Sequence, residues 1–264
     1  MRIPLFHVDA FASRPFSGNP AAVCFLDSWL DDDLLHKVAA ENNLSATAYL
    51  VKKAGGYEIR WFTPRREIKL CGHATLGAGF VIFTLLEPAR DAVEFETRYS
   101  DVLRVKKTGE LLQMDFPALF PQRCANEPPL LVKGLGVDTS PAEILEVNER
   151  LIAVFDSRKK VEELQPDFAL LEKLHPFVVG VTAPGQDEDF VSRYFAPSYG
   201  TPEDPVTGSL HCALTPYWSK RLVKSQLHAR QLSQRGGELW CETSRDRVIL
   251  KGKAVLIRQG SLTI

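Results

Sequence analysis

The sequence lacks the long apolar runs of membrane proteins and secreted precursors. No segment approaches the roughly 20 apolar residues that cross a bilayer. Residues 1–9 show neither the apolar core nor the small-residue cleavage site of a signal peptide. We therefore expect no membrane partner, no secretion and a cytoplasmic location.

Paired cysteines and clustered metal ligands are also missing. The five cysteines are an odd set without a Cys-x-x-Cys pair, which argues against a disulfide framework and a structural zinc site. His211-Cys212 has no histidine or carboxylate at metal-ligand spacing, and His-Glu-x-x-His does not occur. We expect no metal.

Neither sign of charge dominates the chain. Thirty-two basic residues balance 33 acidic ones, for a net charge of -1, and no Lys/Arg block interleaves with aromatic residues. Nucleic acid is therefore not an expected partner. A phosphate-binding loop is absent, and Gly77-Ala78-Gly79 lacks the third glycine of a dinucleotide fingerprint, so we expect no cofactor.

What the sequence does contain is a globular composition with alternating strand and helix patterns, which predicts a mixed α/β fold. The hydrophobic fraction is 45% and the charged fraction 25%. A helix is predicted over 31–43, where three aspartates suit the positive end of the helix dipole. Strands are predicted over 2–10, 19–27, 47–52, 60–62, 92–97, 101–107, 111–116, 143–147, 150–155, 176–182 and 189–196.

An internal echo indicates two similar halves. Arg60-Trp61-Phe62-Thr63-Pro64 precedes a polar loop and a helix that opens at Gly72-His73, and Arg193-Tyr194-Phe195-Ala196-Pro197 precedes another that opens at Gly208-Ser209. A fixed period of this kind is typical of a repeated architecture. We predict lobes over 1–120 and 121–264, with the C-terminal strand able to return to the first lobe and the Pro-rich stretch 127–130 marking the boundary region.

The two helices, predicted near 73–86 and 208–222, are expected to lie at the centres of the lobes. Residues 74–86 are apolar nearly all round, so a sheet must wrap this helix. Gly77 and Gly79 lower helix propensity, a cost that is rationalised if close-packed strands leave no room for larger side chains.

The starts of these helices are the best candidates for a ligand site. A helix N-terminus presents unpaired N–H groups and a partial positive charge, and glycine allows a ligand to approach closely. One start carries Cys71-Gly72-His73, and the other carries Asp204 shortly before Gly208-Ser209. Together they suit a small anionic ligand, such as a carboxylate, and the movement of a proton.

Structural roles for the same residues remain open at this stage. The glycines can serve only as turns, Ser209 can cap its helix, and His73 can be a core histidine. Asp204 can brace its loop by accepting a backbone hydrogen bond. Gly18-Asn19-Pro20 is typical of a turn, although its backbone can also border a ligand.

Motifs along most of the chain resemble those of the PhzF family, the phenazine biosynthesis-like isomerases. They are Asp9-Ala10-Phe11, residues 18–23, Asn43-Leu44-Ser45, Trp61-Phe62-Thr63-Pro64, residues 71–75, residues 193–197 and residues 203–209. The resemblance implies a diaminopimelate epimerase-like fold, with two pseudo-symmetric lobes, each a curved, mainly antiparallel sheet or barrel around a central helix. It also implies an active site in the cleft and a homodimer.

The resemblance also assigns roles to residues. In the family's best-known activity, a glutamate moves a proton between carbons of trans-2,3-dihydro-3-hydroxyanthranilate while a histidine, an aspartate and a serine bind or polarise it. By motif the last three are His73, Asp204 and Ser209. Gly72 and Gly208 are implied to offer backbone N–H groups to the substrate. Asn19 is expected to border the ligand.

The glutamate is where the chain departs from the family pattern. Its motif reads Asn43-Leu44-Ser45-Ala46, so the acid/base position is Ala46, which carries no proton. The interpretations are an inactivating substitution, a member that uses Asp204, His73 or water differently, or a non-catalytic metabolite-binding or protein-interaction member. The epimerase relatives use two thiols. Cys71 occupies a comparable place but Thr207 stands near the counterpart, so we do not expect a two-thiol racemase.

Overall fold

The computed structural model describes residues 1–137 and 140–264. The described chain divides into two compact units, one made of Met1–Asp115 with Lys251–Ile264 and the other of Phe116–Leu250. The sequence placed a boundary between residues 120 and 121, and the Pro-rich stretch 127–130 lies inside the second unit, where Pro129 begins a helix. The C-terminal segment belongs to the first unit because its strand pairs with the first strand of the chain.

The first unit is a mainly antiparallel sheet with two helices. A π-helical turn, Ile82–Leu86, continues its second helix. Its elements are β1 (Arg2–Ala10), β2 (Asn19–Leu26), α1 (Asp32–Asn42), β3 (Ala46–Lys52), β4 (Tyr57–Phe62), β5 (Glu67–Ile68), α2 (Gly72–Val81), β6 (Ala92–Thr97), β7 (Leu103–Thr108), β8 (Leu111–Pro117) and, from the chain end, β17 (Ala254–Thr263).

Helix α2 is the centre of the first unit. It packs against β1, β2, β3, β7 and β17. Seven of its ten residues are buried, as expected for a helix that is apolar on every face. The predicted helix near 73–86 is therefore present, but its last turn widens into the π-helical geometry after Val81.

The second unit repeats the same kind of architecture. Helix α6 begins at Gly208 and ends at Leu222, as the sequence predicts, and its Trp218 stacks on Phe190 with 5.8 Å between ring centroids. The elements are β9 (Gln122–Arg123), α3 (Pro129–Gly134), β10 (Glu143–Val147), β11 (Arg150–Val154), α4 (Arg158–Glu162), α5 (Phe168–Glu172), β12 (Val178–Pro184), β13 (Phe190–Phe195), α6 (Gly208–Leu222), β14 (Gln226–Gln231), β15 (Gly237–Ser244) and β16 (Arg247–Gly252).

The two units share one order of strand pairings. In the first, β1 and β2 are antiparallel, β2 and β3 parallel, and β3 and β4 antiparallel; after α2, β4 pairs parallel with β6 and β6 antiparallel with β7. In the second, β10 to β13, α6, β14 and β15 follow the same sequence of orientations. This match supports duplication of one ancestral unit.

The echo in the sequence corresponds to a repeated ion pair, which we call the Arg–Glu fork. Arg60 of β4 donates from Nε and Nη2 to the two carboxylate oxygens of Glu67, at 2.7 and 2.8 Å. Arg193 of β13 donates from the same two nitrogens to Glu203, at 2.8 and 3.1 Å. Both guanidinium groups lie 5.1 Å from the ring of the phenylalanine two residues on. Each fork therefore anchors the loop that leads to a central helix.

The two glycines of α2 differ in the space around them, so alanine substitutions should have opposite effects. A Cβ on Gly79 would lie 2.7 Å from Cγ1 of Val105, whereas a Cβ on Gly77 would lie 3.6 Å from Val8. We expect Gly79→Ala to destabilise the fold by about 1–3 kcal/mol through overpacking. Gly77→Ala, the matched control, should be neutral or stabilise it by up to about 1 kcal/mol because alanine favours the helix. Urea unfolding of both variants measures the difference, and equal values would contradict the packing argument.

None of the helices in the described part of the chain is long and apolar enough to span a membrane.

Candidate active site

The start of α2 presents backbone donors in the first unit. Cys71 is the N-cap residue in an extended conformation, and its side chain makes no capping hydrogen bond. The Cys71 carbonyl accepts from both the N–H and the hydroxyl of Thr75, at 3.1 and 2.7 Å. Gly72 and His73 are the first two helical residues, whose N–H groups have no acceptor within the helix. This turn therefore offers donors and the positive end of a dipole to an anion.

His73, the second helical residue, is half-buried. Its Nδ1 lies 3.4 Å from Sγ of Cys71. Burial lowers the pKa of His73 to about 4, which leaves the imidazole neutral at pH 7. A neutral ring both donates and accepts a hydrogen bond, so this side chain can polarise an oxygen without bringing a net charge.

Asn19 and Ala46 begin two neighbouring strands at the same end of the first unit's sheet. They begin β2 and β3, which run parallel with Ala21 opposite Ala46. Both residues are completely buried. Gly18 before them has φ +67°, and a Cβ there would lie 2.2 Å from the carbonyl oxygen of Ala10, so this turn requires glycine.

The second unit holds Asp204 in a hydrogen-bonded loop. The Thr207 hydroxyl donates to Oδ2 of Asp204 at 2.6 Å. The completely buried Gln231 accepts from the Thr207 N–H at 2.9 Å and donates to the Asp204 carbonyl at 2.7 Å. The Asp204 carboxylate thus accepts a hydrogen bond from a side chain. These bonds fix the carboxylate relative to the start of α6.

Thr207 occupies the N-cap position of α6 that Cys71 occupies in α2. Neither side chain caps its helix. Cys212 lies in the interior of α6, and burial raises the pKa of its thiol to about 12, so it is protonated and unreactive. The second unit therefore has no thiol at its helix start.

Arg150 contacts the predicted site residue Ser209 and was not among the residues predicted from the sequence. It begins β11, is half-buried, and donates from Nη2 to Oγ of Ser209 at 3.4 Å. Ser209 is thus beside a cation, and it is the second residue of α6, because Thr207 occupies the N-cap position. No local sequence signal marks this pairing, because 59 positions separate the two residues.

The predicted site residues fall into two groups, one in each unit. Asn19, Ala46, Gly72 and His73 belong to the first, and Asp204, Gly208 and Ser209 to the second. Across residues 1–137 and 140–264, no group of three His, Cys, Asp or Glu side chains is arranged to hold a metal ion.

Comparison with known proteins identifies the family. The family model for phenazine biosynthesis-like proteins, PhzC-PhzF, matches residues 8–260. The chain belongs to this family. An uncharacterized isomerase of Pseudomonas aeruginosa is 48% identical over 262 residues and covers 99% of both chains. The phenazine biosynthesis-like domain-containing protein of Homo sapiens is 37% identical over 289 residues and covers 100% of both.

Solved structures confirm the predicted fold class. A PhzF-family protein from Enterococcus faecalis superposes with a TM-score of 0.95, at 43% identity and 100% coverage of both chains. A probable proline racemase from Agrobacterium radiobacter has a TM-score of 0.67 at 10% identity, covering 99% of this chain and 93% of that one. The second likeness shows the shared fold alone. The chain therefore has the epimerase-type α/β fold that the family resemblance implies.

Proposed function

We propose that the chain is a cofactor-independent isomerase that moves a proton within a small carboxylate metabolite. The observation that carries the proposal is the neutral His73 beside the uncapped first turn of α2. Membership of the family and the relatives described as isomerases support it. The proposed ligand and homodimer follow the family resemblance, and the proposed cytoplasmic location follows the expectation of neither a signal peptide nor a disulfide framework.

The proposed chemistry needs donors where negative charge develops. Removing a proton from a carbon conjugated with a carboxylate places charge on oxygen, and fixed N–H donors stabilise that charge. His73 and the Gly72 N–H are the proposed donors in the first unit, and the Gly208 N–H and the Ser209 hydroxyl in the second. Asn19 is proposed to border the substrate.

Asp204 is the proposed proton carrier. Its carboxylate takes the proton from one carbon and returns it to another, so the substrate isomerises with no net oxidation or reduction. The 2.6 Å hydrogen bond from Thr207 supports this role because it holds one carboxylate oxygen in place.

A second candidate is a non-catalytic metabolite-binding or protein-interaction role. One observation favours it: the family's glutamate position is the completely buried methyl group of Ala46. A chain with the binding donors but a weakened proton shuttle would still recognise the metabolite. The two candidates therefore share the ligand and differ in turnover.

Removing the His73 side chain tests ligand recognition. We expect His73→Ala to weaken binding of 3-hydroxyanthranilate by about 1–3 kcal/mol, because a hydrogen-bond donor to the anionic ligand is lost. Since the pKa of His73 is about 4, its contribution should stay constant between pH 5.5 and 8. Isothermal titration calorimetry measures both effects. His36→Ala, a half-buried histidine in α1, is the control, and an unchanged affinity in His73→Ala would give His73 a structural role instead.

A further inference from the structure

Arg150 differs from four arginines of the chain whose partners are carboxylates. Arg60, Arg90, Arg158 and Arg193 each pair with at least one carboxylate. Arg150 has no carboxylate partner among the described residues. Its contacts include the Asn148 carbonyl, 3.4 Å from Nη1, the Ser209 hydroxyl, 3.4 Å from Nη2, and a side-chain hydrogen bond with Tyr194. Its Nε is buried with no acceptor among the described residues.

The unmatched Nε of Arg150 is one of the two nitrogens that bind a carboxylate in each Arg–Glu fork. Both Arg–Glu forks use Nε and Nη2 together. In Arg150, Nε has no acceptor among the described residues, and Nη2 makes a long contact with Ser209. A planar anion with two oxygens is the group that satisfies these two nitrogens with two parallel hydrogen bonds.

Burial makes an unmatched guanidinium N–H costly. A buried donor without an acceptor loses its hydration and gains nothing in exchange, and the loss is larger for a charged group. An anion bound to Arg150 would accept a hydrogen bond from the unmatched N–H and so compensate for its lost hydration.

The charges of Arg150 and Asp204 both affect the pKa of the Tyr194 hydroxyl. Burial raises the pKa of Tyr194, the Arg150 charge opposes this rise, and the Asp204 charge adds to it. Arg150 and Asp204 therefore both lie near Tyr194, in the second unit. If Arg150 binds the substrate carboxylate, the carbon atoms next to that carboxylate lie near Asp204, the proposed proton carrier.

We propose that Arg150 is the specificity-determining residue that binds the substrate carboxylate, through Nε and Nη2, with the Ser209 hydroxyl beside it. This inference rests on the proposed function and narrows it. The ligand carries a planar carboxylate, and the uncharged carboxamide of the same shape is rejected. Asp204 then acts on carbon next to, or conjugated with, that carboxylate.

The test compares 3-hydroxyanthranilate with its carboxamide, by calorimetry, in the wild type and in variants of Arg150. We expect Arg150→Met to weaken carboxylate binding by about 10-fold to 100-fold and to leave carboxamide binding nearly unchanged. Arg150→Lys, which keeps the charge but not the planar pair of donors, should recover only part of the affinity. Arg123→Met, an exposed arginine of β9 in the same unit, is the charge-matched control and should bind as the wild type does.

The outcomes separate this inference from the proposed function. If Arg150→Met still prefers the carboxylate while His73→Ala loses affinity, the role of Arg150 is wrong and the proposed function stands. If the wild type binds the carboxylate and the carboxamide equally well, both the role of Arg150 and the proposed function are wrong. If Arg150→Met fails to fold, Arg150→Lys decides the question. A wild-type preference for the carboxylate over the carboxamide in Arg150→Lys would contradict binding through two parallel hydrogen bonds.

Discussion

Restoring a carboxyl group at position 46 should raise proton-transfer activity by about 10²-fold to 10⁴-fold, the usual contribution of a general acid/base. The change is Ala46→Glu. Ala46 begins β3 and is completely buried, so a carboxyl group at this position would be largely inaccessible to solvent. Burial raises a carboxyl pKa toward neutrality, which suits a group that both accepts and returns a proton.

The measurement is deuterium uptake from D₂O into trans-2,3-dihydro-3-hydroxyanthranilate, followed by NMR. Ala46→Gln is the matched control, since it has the same shape without an ionisable proton. Thermal unfolding of both variants checks that they fold. Asp204→Asn in the wild-type background should remove the residual activity if Asp204 carries the proton. Equal rates for the Glu and Gln variants would remove the support for the enzyme interpretation and leave the binding role.

Acidification should destabilise the fold through buried histidines well before the carboxylates titrate. His211 is completely buried in α6, and burial lowers its pKa to about 4 despite a 2.8 Å contact of Nδ1 with the Thr207 carbonyl. Burial lowers the pKa of His73 to about 4 as well. Between pH 7.5 and 5, we expect a loss of about 2 kcal/mol from His211, and less from the partly exposed His73.

The sign follows from which state binds protons. In the unfolded chain a histidine takes up a proton near pH 6.5, whereas in the folded chain these two stay neutral until about pH 4. Protonation therefore favours the unfolded state, and stability is lost as the pH falls from about 6.5 toward 4. Urea unfolding at several pH values measures this. His211→Asn, which retains a donor for the Thr207 carbonyl, should lose about 2 kcal/mol less across the same range.

Hydrophobic periodicity predicted most helices and strands because it is a local signal, and the echo predicted that the chain has two similar halves. Helix α6 and strands such as Arg2–Ala10 and Glu143–Val147 have the predicted bounds. The crowding proposed for both glycines of α2 is confirmed at Gly79 and wrong at Gly77, because only Gly79 faces the Val105 side chain closely. Sequence patterns report which face of a helix is apolar, but not which partner side chain it meets.

Long-range contacts account for what the sequence did not predict. The Gln231 amide orients Asp204 and Thr207 from 27 and 24 positions away, and Arg150 reaches Ser209 across 59. Such pairings depend on strand register, which a single sequence does not reveal. His73, Asp204 and Ser209 were predicted from the two helix starts, and the family resemblance adds a role for each of them.

The two Arg–Glu forks enclose loops of unequal size. The arginine and glutamate are seven positions apart in the first unit and ten in the second, yet each glutamate lies five residues before its helix glycine. The segment between the arginine and the glutamate of the Arg–Glu fork thus tolerates insertions, whereas the segment between the glutamate and the helix glycine has a constant length. Evolution, or a protein engineer, can lengthen the loop between arginine and glutamate, as the ten-residue version shows, without moving the helix start that follows it.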